Sequence, residues 1–593
     1  MSFRALSLLV ALAAPLLAMP PIRYTVRFPA PQTQTFEVEA VFSVEGVDEA
    51  TLMMAVWTPG SYLLREYSGK VESLSVSSGQ PVEKIAKNRW RIATQGASEV
   101  RVVYRLYARE MSVRTNWVEK DFAILIGAGT FLTLVDPSTD RPVKTEHHVQ
   151  LEPPSSWPRS ASGMRSGDAP HSFVAQDFDE LVDSPILAGD LAVYPYEVDG
   201  KPHELVNLGE GGVFDGARAA ADSQTLTRAQ VDFWGGAPYP RYSMLNAITE
   251  SGGGLEHKNS ALLMSKRFAT STRKDYVRWL KLFSHEFFHA WNGKRLRPAE
   301  LGPFDYEHEN YTTGLWVVEG LTSYYESVLL ARAGLIDEAT FLEQLSEDIE
   351  NLQGTPGREV DTAAAASFDA WVKLYRRDEG SPNRSVSYYV KGAVVGMLLD
   401  AEIRSATNGK SSLDDVLRAA FARYAGETGY TGAQFRGLVS ETAGIDLAPW
   451  LERALDGTSE LDYSIFLTWF GLRFTPPKAE GDEPAAWLGA NTAVREGRLF
   501  ITEVRRGTPA FGAGLNVDDE IVGINGFRVA PSALDDRLAH YRPGDKLEIL
   551  ISRREKLETI AITATAKPSE SWKLEVDPAA PEMTTARRAA WLQ

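Results

Sequence analysis

The segment LFSHEFFHAWN, Leu282 to Asn292, sets His285 and His289 four residues apart with Glu286 directly after the first. On a helix, positions four apart lie on one face, one turn above the other. Two neutral imidazoles can then offer nitrogens to one zinc ion, while the glutamate accepts a proton from water activated by that ion. Catalytic zinc is usually held by three protein ligands with one position open, so a third donor is required. His308 and Glu309 are nearby in sequence but sit in FDYEHENYTTG, a loop-like run. Glu319, in LWVVEGLTSYYESVLLA, opens a long helical pattern, and 29 residues lie between it and His289. Ligands on helices are held more precisely than ligands on loops, which favours Glu319 over Glu309. Glu326 is one heptad further along nearly the same face. It either orients a histidine through a hydrogen bond or is plain surface charge.

The elements that must position these residues belong to a large chain. At 593 residues and 65.4 kDa it exceeds what one hydrophobic core serves, so two to four domains are expected. A hydrophobic content of 44% with 24% charged residues is that of a globular protein and argues against disorder. The net charge of −17 argues against nucleic acid or an anionic membrane surface as partner, since both select clustered Lys and Arg. There is no cysteine, which excludes thiolate zinc sites and a cysteine nucleophile and leaves any metal to His, Asp or Glu. The opening residues, MSFRALSLLVALAAPLLAMPP, place Arg4 before an apolar run that ends in small residues. This is the form of a secretory signal at residues 1–18, cleaved after Ala18, although Leu16 stands where a small residue is preferred. An uncleaved anchor is the alternative. No other segment reads as a membrane span, so an exported protein, periplasmic or secreted, is expected.

From 19 to 190 short alternating segments such as QTFEVEAVFSV and EVRVVYRLYA, separated by Gly, Pro and Asp turns, predict an all-β domain. From 191 to 462 strands give way to helices, among them DYVRWLKLFSHEFFHAW, LTSYYESVLLARAG and YYVKGAVVGMLLDAEIRSA. A third unit over 463–567 contains strands joined through a short Ala-rich helix and a turn closed by NG. Residues 568–593 read as a polar tail. The expected class is multidomain α+β.

SHEFFHAWNGKRLRP followed by GLWVVEGLTSYYESVLLARAGL resembles the glycyl aminopeptidases, gluzincin-type zinc metallopeptidases. The resemblance continues in VWTPGSYLLREYSG, GGGLEHKNS, SYYVKGAVVGMLLD and a C-terminal PDZ-like unit. It implies a thermolysin-like catalytic domain holding one zinc ion after a β-rich N-terminal domain. It also implies hydrolysis of the N-terminal peptide bond of peptides with a free amine, with preference for small residues such as Gly and Ala. Under the resemblance Tyr389, with Tyr388 as its rival, meets the charge of the tetrahedral intermediate. Glu256 takes the substrate ammonium, and Gly253 and Gly254 let an edge strand approach the peptide backbone closely.

RRGTPAFGAGLNVDDEIVGINGFRV resembles a bacterial PDZ domain, with WFGLRF and WLGANT as rival candidates for its carboxylate-binding loop. Such a unit captures a polypeptide C-terminus or serves only as a packing module. Two other functions compete with an aminopeptidase: a zinc endopeptidase or oligopeptidase with an open cleft, and a non-catalytic peptide-binding protein working through the PDZ-like unit. The number of subunits is not legible.

Overall fold

A computed structural model describes residues 19–476, 485–568 and 571–593. The expected signal at 1–18 lies outside them, as does most of the Pro- and acid-rich loop near 480. Among the described residues no helix is long and apolar enough to cross a membrane. The chain divides into two compact units.

The first unit comprises 19–56, 66–111 and 115–190. It is built on seven-, five- and four-stranded sheets with two short helices. Glu99–Tyr107 alternates exposed or half-buried residues with buried Val100, Val102, Tyr104 and Leu106, which is why a period of two is legible there.

The second unit gathers 57–65, 112–114 and 191–593. Its five-stranded sheet runs Leu191–Val198, Lys201–Leu208, Tyr242–Thr249, Ser260–Lys266 and, at the edge, Gly253–Glu256. The middle pairings are parallel and the outer two antiparallel. Tyr242–Thr249 is buried along its whole length, as a parallel strand covered on both faces must be. The helix Arg273–Phe288 follows. Thr272 caps it by accepting from the Asp275 amide, and Tyr276, Leu280, Phe283 and Phe287 form its buried stripe.

The helical part is organised around Leu321–Arg332, Glu338–Gln353 and Tyr388–Ala406. The last has apolar residues all round and is buried on nearly every face. Glu319 precedes Leu321 in a π-helical turn, Trp316–Gly320, where the Leu321 amide donates five residues back to the Trp316 carbonyl. Such turns recur at functional sites because the extra residue redirects a side chain.

The third domain is smaller than 463–567 implies. Its sheet orders Ala490–Arg495, Arg498–Val504, Glu520–Ile524, Lys546–Arg553 and Lys556–Thr563 around a core of Leu499, Ile501, Ile524, Leu547 and Ile549. The helix Ser464–Phe470 and strand Leu472–Phe474 lie outside that sheet, and the strand pairs with Leu574–Val576. The expected tail is therefore structured. Its helix, Met583–Trp591, stacks Trp591 on Phe470 at 3.9 Å, and the indole donates to the Tyr324 hydroxyl at 2.8 Å. Only Thr584, Arg588 and Trp591 of that helix are buried, so its composition reads as polar although its packing face is continuous.

Gly320 and Gly392 meet where two helical segments cross. A Cβ on Gly392 would stand 2.8 Å from the Gly320 Cα and 3.0 Å from the Trp316 carbonyl oxygen. Gly to Ala inside a helix ordinarily stabilises by about 1 kcal/mol. Here Gly392→Ala is expected to destabilise by roughly 1–3 kcal/mol through overpacking, read as a lower midpoint of thermal unfolding. A raised midpoint would show that the crossing has room.

Candidate active site

His285 lies in the last turn of Arg273–Phe288, and His289 is its C-cap, so both rings project from the end of one rigid element. Their Nε2 atoms are 3.1 Å apart, and Glu319 Oε2 lies 3.1 Å from His289 Nε2 and 3.4 Å from His285 Nε2. Ligands at tetrahedral corners around zinc, at bonds of about 2.05 Å, stand roughly 3.3 Å from one another. The three donors fit that ion, with one corner left open. Glu319 Oε1 is buried with no hydrogen-bond partner, as suits a carboxylate shaped around a cation.

Both imidazoles are oriented from behind. His285 Nδ1 hydrogen-bonds Glu326 Oε2 at 2.6 Å, and the other Glu326 oxygen receives Lys281 Nζ at 3.2 Å. His289 Nδ1 donates to the Asn292 carbonyl at 2.8 Å. The Asn292 amide then donates to the carbonyls of Val317 at 2.8 Å and Val318 at 3.1 Å, tying the histidine helix to the turn that carries Glu319. Such partners fix the tautomer in which Nε2 faces the metal. Glu326 is thus an orienting group, and Asn292 and Lys281 are partners that the spacing of histidines alone does not announce. His308 is exposed and pairs with Asp305 at 3.0 Å, and neither it nor Glu309 joins the cluster.

Burial pushes the Glu286 carboxyl up to about 7, with Glu256 and Glu319 adding to the rise and the two histidines opposing it. Burial also raises Glu319, but ion pairing and hydrogen bonding to His289 and His285 outweigh it and hold that carboxyl down at about 2. Two buried carboxylates thus take opposite protonation preferences, the pattern that separates a proton acceptor from a ligand.

Glu256 ends the edge strand, buried, with an oxygen within 4.8 Å of ligating atoms of Glu286 and His289. Gly60, at φ +87°, covers it so closely that a Cβ there would fall 2.3 Å from Glu256 Oε1. Gly254 lies against Glu286, where a Cβ would fall 2.1 Å from Oε1, and Gly253 has φ +114°. Both edge-strand glycines are therefore required by geometry. Tyr389 lines the cavity with its ring stacked on His285 at 6.1 Å. Tyr388 is wholly buried and does not line it. Tyr375 donates to the Gly60 carbonyl at 3.2 Å. Arg114 donates to the Gly254 carbonyl at 3.3 Å. The cavity holds about 390 Å³.

Of the rival PDZ loops, WFGLRF runs from a helix into a strand outside the domain, while WLGANT leads into the edge strand Ala490–Arg495. That loop, through Trp487, Gly489 and Asn491, lines a second cavity of about 680 Å³ against Leu352, Leu374 and Val390 of the helical part.

An ion site of two helical histidines and a downstream helical glutamate, beside an edge strand ending in a buried carboxylate, defines a zinc metallopeptidase of the gluzincin type. Family models agree: M61 glycyl aminopeptidase over residues 278–395, the N-terminal domain of the same peptidases over 23–190, and a PDZ domain over 486–564. Two of those models describe glycyl aminopeptidases, and with the metal donors they make the chain a zinc aminopeptidase. Among solved structures it is similar to an aminopeptidase N family protein from Idiomarina loihiensis, at 29% identity and TM-score 0.89 over 96% of this chain and all of that one. More distant are an M1 zinc metallopeptidase from Deinococcus radiodurans bound to Tyr-Ser-Ala (13% identity, TM-score 0.45, 75% of this chain and 95% of that one) and leukotriene A4 hydrolase from Saccharomyces cerevisiae (15%, 0.45, 76% and 67%). No curated protein matches.

Replacing Glu326 with Ala leaves His285 Nδ1 without its acceptor. Zinc affinity is expected to fall about 10–100-fold, measured by competition with a chelator of known strength. Unchanged affinity would reduce Glu326 to a counter-charge for Lys281.

Proposed function

We propose that this chain removes small N-terminal residues, Gly and Ala foremost, from peptides with a free amine. The observation that carries the reading is the buried Glu256 carboxylate beside the metal donors, which closes the amine end of the cavity and pairs with an ammonium. The preference for small residues rests on the family match.

One zinc ion on His285, His289 and Glu319 would supply Lewis acidity, polarising the scissile carbonyl and lowering the pKa of a water from 15.7 toward roughly 7. Glu286 takes the proton of the attacking water and passes it to the leaving amine. Its buried carboxylate, packed against Gly254 of the edge strand, supports this role. Tyr389 donates its hydroxyl to the oxygen that gains charge in the tetrahedral intermediate, with the His285 ring stacked against it. Gly253 and Gly254 align the peptide backbone along the sheet edge. Export to the periplasm or the medium is part of the same proposal and rests on residues 1–18.

Hydrolysis of glycyl and alanyl arylamides, with N-acetylated versions in parallel, tests the reading. Cleavage of the free-amine substrates alone is expected. Glu286→Gln should retain zinc and lose roughly 10²–10⁴ in rate, and Glu256→Ala should lose about 10–100-fold in kcat/KM. Equal cleavage of acetylated substrates would replace the reading with an open-cleft endopeptidase.

The second cavity supports a further role for the PDZ domain in binding an extended polypeptide. Among the described residues Ala490–Arg495 pairs with a strand on one side alone, and Arg377, Arg505 and Lys567 line the cavity. Trp487 fluorescence of the full chain should respond to peptides with a free C-terminus and less to their amides. No response to either would leave the domain as packing.

A further inference from the structure

Arg114 is absent from the chemistry assigned so far, yet it is one of the charged residues lining the active cavity. It comes from residues 112–114, a three-residue segment that belongs to the peptidase unit while its neighbours in sequence belong to the other. Its guanidinium lines the cavity with Gly60, Gly254, Glu256, Glu286 and Tyr389. Its Nη2 donates to the Gly254 carbonyl at 3.3 Å.

The edge strand supplies the scale. Glu256, which takes the ammonium, is two residues from Gly254, so their backbones are separated by about 7 Å along the strand. Glu286 lies against Gly254, which sets the bond to be cleaved at that level. A peptide extended along the strand advances at the same rate, so a chain of two residues with its amine on Glu256 brings its terminal carboxylate just past Glu286. The guanidinium reaching the Gly254 carbonyl stands in that neighbourhood, with five N–H donors in a fork suited to a carboxylate.

We infer that Arg114 is a specificity-determining residue that receives the terminal carboxylate of short substrates, making this a peptidase that favours dipeptides. The inference rests on the aminopeptidase reading and on Glu256 as the amine site. A peptide longer at its C-terminus presents only a carbonyl there and loses the ion pair, while it keeps every other contact. A charge-assisted hydrogen bond of this kind is worth about ten-fold or more in binding.

The test compares Ala-Gly with its C-terminal amide on the zinc-loaded full chain. Wild-type kcat/KM is expected to favour the free acid by about ten-fold or more. In Arg114→Met that ratio should fall close to one, and in Arg114→Lys it should stay in between. The ratio is the readout because a guanidinium that merely props the edge strand would lower both substrates together. A wild-type ratio near one, or an unchanged ratio in Arg114→Met, overturns the inference, and the wild-type value alone decides if that variant does not fold. Alanyl arylamides, which carry no carboxylate, keep the two readings apart: their turnover without acid preference defeats Arg114 and leaves the aminopeptidase standing.

Discussion

The site depends on one close crossing, that of Gly320 with Gly392. A Cβ on Gly320 would fall 2.5 Å from the Gly392 Cα, so the two backbones are in contact. Gly320 follows Glu319 and Gly392 is three residues after Tyr389, so the crossing ties the spacing of a metal donor to that of the tyrosine. With side chains at the crossing the helices would stand further apart, as the usual interaxial separation of 8–10 Å requires. Gly396 repeats the arrangement one turn on, against the side chain of Leu321. Three glycines on the crossing face cost helix propensity, and the structure accepts that cost where backbone must meet backbone.

Burial creates the second constraint. Glu256, Glu286, Glu319 and Glu326 are all buried, and so are His285 and His289. Carboxylates so placed are tolerated only with cations or donors at hand. Lys281 and His285 hold Glu326, the two histidines hold Glu319, and Asn292 fixes the second histidine through its own carbonyl. What is left is an asymmetry: among the described residues Glu286 has no ion pair of comparable closeness, and burial raises its proton affinity. The same environment that holds the Glu319 carboxyl ionised favours a proton on Glu286.

The legible part of this arrangement was local. His285, Glu286 and His289 are read from one helical turn, and Glu319 and Glu326 from a helical pattern 29 residues further on. The β, then mixed, then helical order of segments follows from periodicity, and the break at 190 coincides with the division of the chain. Gly60, Arg114 and Tyr375 were not legible as site residues, because each reaches the cavity from a segment remote in sequence and has no spacing relation to the histidines. Asn292 stood in the quoted motif, but its amide acts on carbonyls of Val317 and Val318, a contact that only the fold creates. The C-terminal helix is hidden in the sequence for a related reason: it buries Thr584, Arg588 and Trp591 and so has almost no apolar stripe to see.

The wall behind Tyr389 faces two ways. Tyr389 lines the active cavity while Ser387 and Val390 on either side of it line the larger cavity against the PDZ domain. In the facing segment Leu374 and Arg377 line the larger cavity, whereas Tyr375 between them donates to the carbonyl of Gly60, which lines the active cavity. Side chains from the same short stretches therefore serve both cavities, with no independent layer between them. Close-packed interiors transmit displacement instead of absorbing it. The position of the Tyr389 hydroxyl is thus set jointly by the helix crossing at Gly392 and by the packing of residues whose other neighbours belong to the PDZ domain.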